Sequence, residues 1–351
     1  MASVTIYDVA ARAGVSIKTV SRVMNNEPNV RPAMRDRVME AAEALDYSPN
    51  LSARSLAGSR SFVIAIFVDA ALTIDHWRSE RGADYLSRIQ LGATLQCRDA
   101  GYHLLIELID HDAPRVRQEV AALLAALKPD GVILTPPSSD NETVLELLDK
   151  AGTPYVRLGP ERPAELGPRV HMDDVAAARD MTQHLAGLGH RRIGFIVGEP
   201  RYGASQARRA GYLEAMKQLN LPVSDQWVRQ GDFTFQSGLE QAKALLALPD
   251  RPTAIFASND DMALGCIAAA AEAGIMVPGE VSIAGFDDSP SARFSRPQLT
   301  TVRQPVVEMA SLATRLLITG QIKAASKSSP LDELLPFELI HRASTAPPLS
   351  P

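Results

Sequence analysis

Ile6, Val9, Ala10 and Ala13 recur at the three- and four-residue spacing of one helix face. Gly14 follows where a left-handed stop residue belongs. The apolar pattern restarts almost at once with Val20, Val23 and Met24. Thr5 precedes the first run with Asp8 three positions on, a capping pattern. Ser16 is placed to cap the second run, with Val15 and Val20 as a hydrophobic staple across the cap. The spacing predicts two short helices meeting across a tight turn, a helix-turn-helix. Met34, Val38, Ala41, Ala42 and Leu45 then mark a third helix over residues 32–45, which would complete a small three-helix core.

The pattern changes along the rest of the chain. In residues 47–58, Asn50 can start a helix and Gly58 can end it. A helix this short is unstable alone in water, so the segment reads as a hinge that orders only when paired on DNA. Apolar, β-rich runs follow at 62–68, 103–108, 131–135, 155–158, 193–197, 254–257 and 281–286. Amphipathic helical patterns lie between them, for example at 86–100, 175–188, 205–219 and 262–273. Strands alternating with helices imply parallel sheets covered on both faces, and the number of units suits two doubly wound lobes. The expected domains are a headpiece (1–47), a hinge (48–60) and a ligand domain (61–351). Its first lobe would take residues 61–160 and 291–318, and its second 161–290 and 319–345. A last strand is expected at 335–341, and the tail beyond it carries no leucine heptads, so a dimer is expected rather than a coiled-coil tetramer.

Composition narrows the function. Hydrophobic residues make up 46% and charged residues 22% of 351, an ordinary globular balance without a membrane-length apolar run. The N-terminus lacks the basic stretch and apolar core of an export signal, so a cytoplasmic location is expected, with no membrane partner. Cys97 and Cys266 sit in apolar helical stretches and read as buried free thiols. The net charge is −5, but residues 1–60 hold 8 basic and 6 acidic side chains, a local excess that permits nucleic-acid binding. The seven histidines show no metal-ligand spacing, and neither a Gly-x-Ser-x-Gly elbow nor a phosphate loop is present. No enzyme activity, cofactor or metal is expected.

Two sets of residues could carry function. On the second helix, Lys18, Ser21, Arg22 and Asn25 fall opposite the apolar face, with Ile17 between the faces near the N-terminal end. That end points at base edges in the major groove, where Arg and Lys donate to guanine and an apolar side chain meets thymine methyl. In doubly wound sheets a ligand binds beyond the carboxyl ends of the strands. Those ends carry Asp69, Thr135, Asn259-Asp260 and Asp287-Asp288. Hydroxyl, amide and carboxylate groups converging there suit a polyhydroxylated ligand, because each sugar hydroxyl both donates and accepts. Taken singly, each also suits a helix cap.

The runs Thr5-Ile6-Tyr7-Asp8-Val9-Ala10, Ala13-Gly14-Val15-Ser16, Thr19-Val20-Ser21-Arg22-Val23-Met24-Asn25 and Pro49-Asn50 through Ala53-Arg54-Ser55-Leu56-Ala57 resemble the headpiece and hinge of the LacI/GalR repressor family. Ser205, Arg208 and Gly211-Tyr212, then Asn259-Asp260, Gly285-Phe286-Asp287-Asp288 and Leu299 through Pro305, extend the likeness more diffusely. The resemblance implies an N-terminal all-α helix-turn-helix headpiece and an α/β periplasmic-binding-protein-like domain of two doubly wound parallel-sheet lobes. It implies a repressor of carbohydrate-utilisation genes, dimeric on a pseudo-palindromic operator and controlled by a sugar held between the lobes. A sugar-binding transport-type protein without a regulatory role is the alternative. It also implies that Ile17, Lys18 and Arg22 read bases, that Leu56 wedges into the minor groove, and that Arg208 and Asp260 grip sugar hydroxyls. The full expected DNA set is Thr5, Tyr7, Ser16, Ile17, Lys18, Thr19, Ser21, Arg22, Asn25, Asn50, Ala53 and Leu56. The expected effector set is Asp69, Trp77, Tyr85, Thr135, Arg208, Phe256, Asp260, Asp287 and Gln304. The chain departs from the family pattern at Arg31, where Ser or Thr usually starts the third helix. It departs again after Asp69, where the run to Tyr85 is expected as a loop packed by Trp77.

Overall fold

The computed structural model describes residues 4–24, 29–47, 60–79, 84–111, 115–162, 164–324 and 331–349. The chain divides into two compact units, Met1–Phe62 and Val63–Pro351. The first holds α1 (Ile6–Ala13), α2 (Ile17–Met24) and α3 (Pro32–Ala44). The Asp8 carboxylate accepts from the Thr5 backbone N–H at 2.8 Å and from its hydroxyl at 2.7 Å, closing the start of α1. Gly14 ends it at φ 63°, where a side chain would be strained. Ser16 Oγ accepts from the Thr19 N–H at 3.1 Å and starts α2. Arg31 makes no side-chain cap on α3, and Pro32 at the first helical position removes one N–H that would need one. Val9, Ala10, Ala13, Val20, Val23, Val38, Ala41 and Ala42 form the buried core of the unit.

The second unit contains two parallel sheets. The first is built from β1 (Val63–Asp69), β2 (His103–Ile109), β3 (Gly131–Leu134), β4 (Tyr155–Leu158), β5 (Arg169–His171) and β11 (Asp332–Leu334), in the order β11-β5-β4-β3-β1-β2. The second contains β6 (Ile193–Val197), β7 (Val228–Gln230), β8 (Ala254–Ala257) and β9 (Ser282–Ala284), ordered β7-β6-β8-β9. β10 (Thr301–Arg303) and β12 (Glu338–Ile340) form an antiparallel ribbon, tied to the second sheet through the bridges Ala284–Thr300 and Asp287–Arg303. Each sheet places its first strand between its second and third, so the winding direction reverses beside β1 and beside β6. Chain passes between the lobes three times: after β5, after β10, and between β11 and β12.

Helices cover both faces of both sheets: α4 (Ala70–Ser79), α5 (Asp84–Ala100), α6 (Val116–Leu127), α7 (Glu142–Ala151), α8 (Asp174–Gly187), α9 (Gly203–Gln218), α10 (Phe235–Leu246), α11 (Asp260–Glu272), α12 (Pro290–Phe294), α13 (Val306–Thr319) and α14 (Gln321–Ala324). β1 reads Val-Ile-Ala-Ile-Phe-Val-Asp, buried nearly throughout, as a strand covered on two sides must be. Helix pairs in both lobes pack backbone to backbone at glycine. A Cβ on Gly92 of α5 would lie 2.2 Å from the Val307 carbonyl of α13, and one on Gly211 of α9 would lie 2.2 Å from the Val175 carbonyl of α8. Cys97 and Cys266 are buried and unpaired. No helix among the described residues is long and apolar enough to cross a membrane.

Three expectations change. β5 and β11 pair in the first sheet, although residues 161–290 and 319–345 were expected in the second lobe. Both strands have three residues, too few for an apolar signature, and Arg169 and Asp332 bind each other there at 2.7 Å. Likewise residues 299–303, expected in the first lobe, lie against the second, and only α13 from that stretch packs on the first. The run after Asp69 is a helix rather than a loop, because Asp69 Oδ1 accepts from the Leu72 N–H at 2.7 Å and caps α4 directly.

Candidate ligand-binding site and nucleic-acid interface

A cavity opens where the carboxyl ends of the strands of both lobes face each other. Its open volume is about 140 Å³, room for roughly ten waters at ~10–15 Å³ each, so it accommodates a small sugar rather than a lone ion. Asp69, Trp77, Tyr85, Thr135, Arg208, Asp260, Asp287 and Gln304 all line it. Phe256 does not. It lies in the middle of β8, fully buried, packed edge-on against Phe195 at 5.2 Å, and belongs to the core beneath the site.

Arg208 projects from α9 into this space. Its Nε donates to Asp174 Oδ1 at 2.8 Å and its Nη1 to the Ser258 carbonyl at 2.6 Å, while its guanidinium lies 3.7 Å from the Phe286 ring centroid. Two bonds and a stacking face fix the group and leave Nη2 to meet a ligand. Asp260 begins α11. Its Oδ2 accepts from the Ser289 N–H at 2.7 Å and its Oδ1 from the Thr301 hydroxyl at 2.6 Å. Burial pushes its carboxyl up to about 6, against the pull of those hydrogen bonds. Burial and the neighbouring Asp260 push Asp287 well above the usual carboxylate range. Two carboxyls this close and this buried resist ionising together. Burial also raises the Tyr85 phenol, which stays a hydroxyl donor and acceptor.

The turn after β9 is unusual. Asp287 has φ 135° and Asp288 φ 55°, backbone that non-glycine residues adopt at a cost of about 1–3 kcal/mol each. Several groups hold it. Gln304, at an interlobe crossing, donates to Asp287 Oδ1. Although burial opposes ionisation of Asp288, hydrogen bonds from Arg342, Arg303 and Arg293 hold its carboxyl below the usual range. From the other lobe, Arg88 of α5 donates to the carbonyls of Asp287, at 2.7 Å, and Asp288. Arg201 reaches across in the opposite direction, 3.7 Å from Asp69.

Sequence reasoning missed Asp84, Asp174, Tyr202, Phe233 and Ser289, which also line the cavity; Asn259, read from its strand end, lines it beside Asp261. Asp174 was findable as the first residue of a helix after a strand. Asp84 pairs with Arg88 at 2.8 Å, an i, i+4 pattern that signals only a helix surface. Tyr202 and Phe233 follow β6 and β7, and β7 is too short to have been recognised.

In the headpiece the α2 surface is open. Tyr7 is 67% and Ile17 40% exposed, and Lys18 is exposed. Thr19, Ser21 and Arg22 are half-buried beside them. Thr5 and Ser16 stand at the N-terminal ends of α1 and α2. Asn25, Asn50, Ala53 and Leu56 lie outside the described residues.

One side-chain arrangement invites an enzymatic reading. His111 Nε2 lies 2.9 Å from Ser138 Oγ, and its Nδ1 lies 3.2 Å from Asn141 Nδ2. Asn141 Oδ1 accepts from the Val144 N–H as the cap of α7, which fixes the amide orientation. The Asn141 NH₂ therefore donates to Nδ1, so neutral His111 carries its proton on Nε2. In that tautomer it donates to Ser138 and cannot act as its base.

The comparisons agree with this architecture. The family described as bacterial regulatory proteins, lacI family, matches residues 5–50, and a periplasmic binding protein-like domain matches residues 182–345. Catabolite control protein A of Priestia megaterium is 35% identical over 349 residues, 98% of this chain and 99% of that one. The structure of a transcriptional regulator CelR–cellobiose complex matches with TM-score 0.72 and 31% identity, covering 97% of this chain and 99% of that one. The lac repressor dimer bound to operator and the anti-inducer ONPF matches with TM-score 0.80 and 26% identity, covering 98% and 100%. With a helix-turn-helix headpiece, two doubly wound lobes and full-length likeness to these regulators, the chain belongs to the lacI family of bacterial regulatory proteins.

Proposed function

We propose that this protein represses carbohydrate-utilisation genes in the cytoplasm. It acts as a homodimer whose two headpieces sit on the half-sites of a pseudo-palindrome. A sugar held between the lobes changes the grip on DNA. The observation that carries this reading is the fixed Arg208 guanidinium facing a ring of hydroxyl and carboxyl groups from both lobes. A rigid donor set of this kind matches vicinal hydroxyls and rejects analogues that lack them. Ile17, Lys18 and Arg22 meet bases, Tyr7, Thr5 and Ser16 meet phosphates, and Leu56 wedges the centre of the site. The test uses Arg208→Ala. Its operator affinity should match wild type while its response to sugar disappears, read by fluorescence anisotropy of labelled operator across a sugar panel. A retained response would remove Arg208 from the site and this reading with it.

A further inference from the structure

The cavity lining carries a charge imbalance. Among its described residues are six acidic side chains, Asp69, Asp84, Asp174, Asp260, Asp261 and Asp287, and a single cationic one, Arg208. That one guanidinium is already matched by Asp174. Asp84 is matched by Arg88, and Asp69 faces Arg201 at the longer distance of 3.7 Å. Asp260 and Asp287 make no ion pair with any described residue; their oxygens are met by Thr301, the Ser289 N–H and Gln304. The helix N-termini that could draw an anion are largely filled. Asp69 accepts from the Leu72 N–H, Asp173 from the Ala176 N–H, and Asn259 from the Met262 N–H.

We propose that the cavity selects carbohydrates without negative charge and turns away the phosphate ester or uronate of the same sugar. The inference rests on the carbohydrate reading above and adds its charge class. An incoming phosphate or carboxylate would meet the negative charge that the Asp260–Asp287 pair shares, at the buried Asp260 end of the cavity, where screening is weaker than in bulk water. Among the described residues that line the cavity, it would find no cation without a carboxylate partner. A neutral sugar instead donates its hydroxyl protons to those same oxygens.

The experiment is isothermal titration calorimetry of the full-length protein with matched sets. These are glucose, glucose 6-phosphate, glucuronate and glucosamine; galactose with its 6-phosphate, uronate and amine; and cellobiose with its 6-phosphate. For every parent that binds, the phosphate ester and uronate should bind at least tenfold more weakly, and the amine no more weakly than the uronate. Because the pair resists ionising twice, the double variant Asp260→Asn, Asp287→Asn is the one that removes its charge, and asparagine keeps the size and shape of each side chain. In that variant the gap between parent and ester should narrow at least threefold. An anionic member binding as tightly as its parent would overturn the proposal and leave the carbohydrate reading standing. So would an unchanged gap in the variant, since that would make the discrimination one of shape. If no member of any set binds, the carbohydrate reading itself falls and takes the charge class with it.

Discussion

Asp260 serves structure and ligand at once. It ties the start of α11 to the Ser289 turn and to Thr301 of β10, and it faces the cavity. Asp260→Asn can satisfy one of those donors but sets its own NH₂ against the other, an orphaned buried donor worth about 1–3 kcal/mol. The pH dependence follows from the same burial. Its carboxyl lies near 6 in the folded chain, against 3.8 without the fold. The native state therefore holds the proton more tightly, and stability falls as pH rises from about 4 to about 6. Scanning calorimetry should show Asp260→Asn melting below wild type at pH 5, with a smaller drop between pH 4.5 and pH 7. Asp287 retains part of that drop. A variant whose melting falls as steeply as wild type over that range would show that Asp260 is not the group responsible. Arg157 offers a test of stability away from the cavity. It is fully buried, donates to the Ser139 carbonyl at 2.6 Å, and pairs with Asp140 at 2.7 Å. Arg157→Leu orphans the Ser139 carbonyl and takes one partner from Asp140, which keeps the Glu161 and Arg162 N–H groups, so the loss should be about 1–3 kcal/mol. Urea unfolding at equilibrium should show the loss. A change under 1 kcal/mol would contradict the account of this pair.

At the scale of elements, the sequence was readable where burial covered whole strands. β1, β3, β6 and β8 are near-continuous apolar runs buried on both faces, and β4 is one interrupted by Arg157. The same property misled the reading at Phe256. In a strand buried on both sides, an aromatic in the interior carries no mark separating it from one at the ligand end. The three-residue strands β5, β7, β10 and β11 leave too little pattern to recognise, and β5, β10 and β11 stand next to the interlobe crossings. The contacts of Arg88 with residues 287 and 288 lie far apart in sequence, and nothing local announces them. Yet they are the element-level link between lobes, since Arg88 of α5 grips the turn that presents Asp287. Arg88→Ala should leave operator affinity without sugar near wild type and reduce the sugar-induced change in that affinity by about 0.5–2 kcal/mol. Paired anisotropy titrations with and without sugar measure it. An undiminished change would mean the lobes are coupled elsewhere. Gly211→Ala probes the α8–α9 contact: the added methyl has no room before the Val175 carbonyl. The helices must separate, at a cost of about 1–3 kcal/mol in overpacking, with a lowered melting temperature as the readout.

For the whole molecule, the chain couples a small three-helix reader to a cavity built from two lobes. The headpiece was legible because its caps, turn glycine and helical spacing are local, as Thr5, Asp8, Gly14 and Ser16 show. The cavity was legible in part: eight of the nine expected residues line it, because strand ends are marked by hydroxyls and carboxylates. Its aromatic and acidic remainder, Tyr202, Phe233, Asp84 and Asp174, comes from segments whose convergence only the fold creates. The central claim is that occupancy of this cavity sets affinity for DNA. Site selection from a random duplex pool with the full-length dimer, followed by operator anisotropy across uncharged sugars, tests it most directly. The account predicts a selected pseudo-palindrome and at least one sugar that shifts its dissociation constant by about 5–150-fold, the span of 1–3 kcal/mol of coupling. A selected sequence whose affinity no sugar alters, while calorimetry shows a sugar bound, would contradict it.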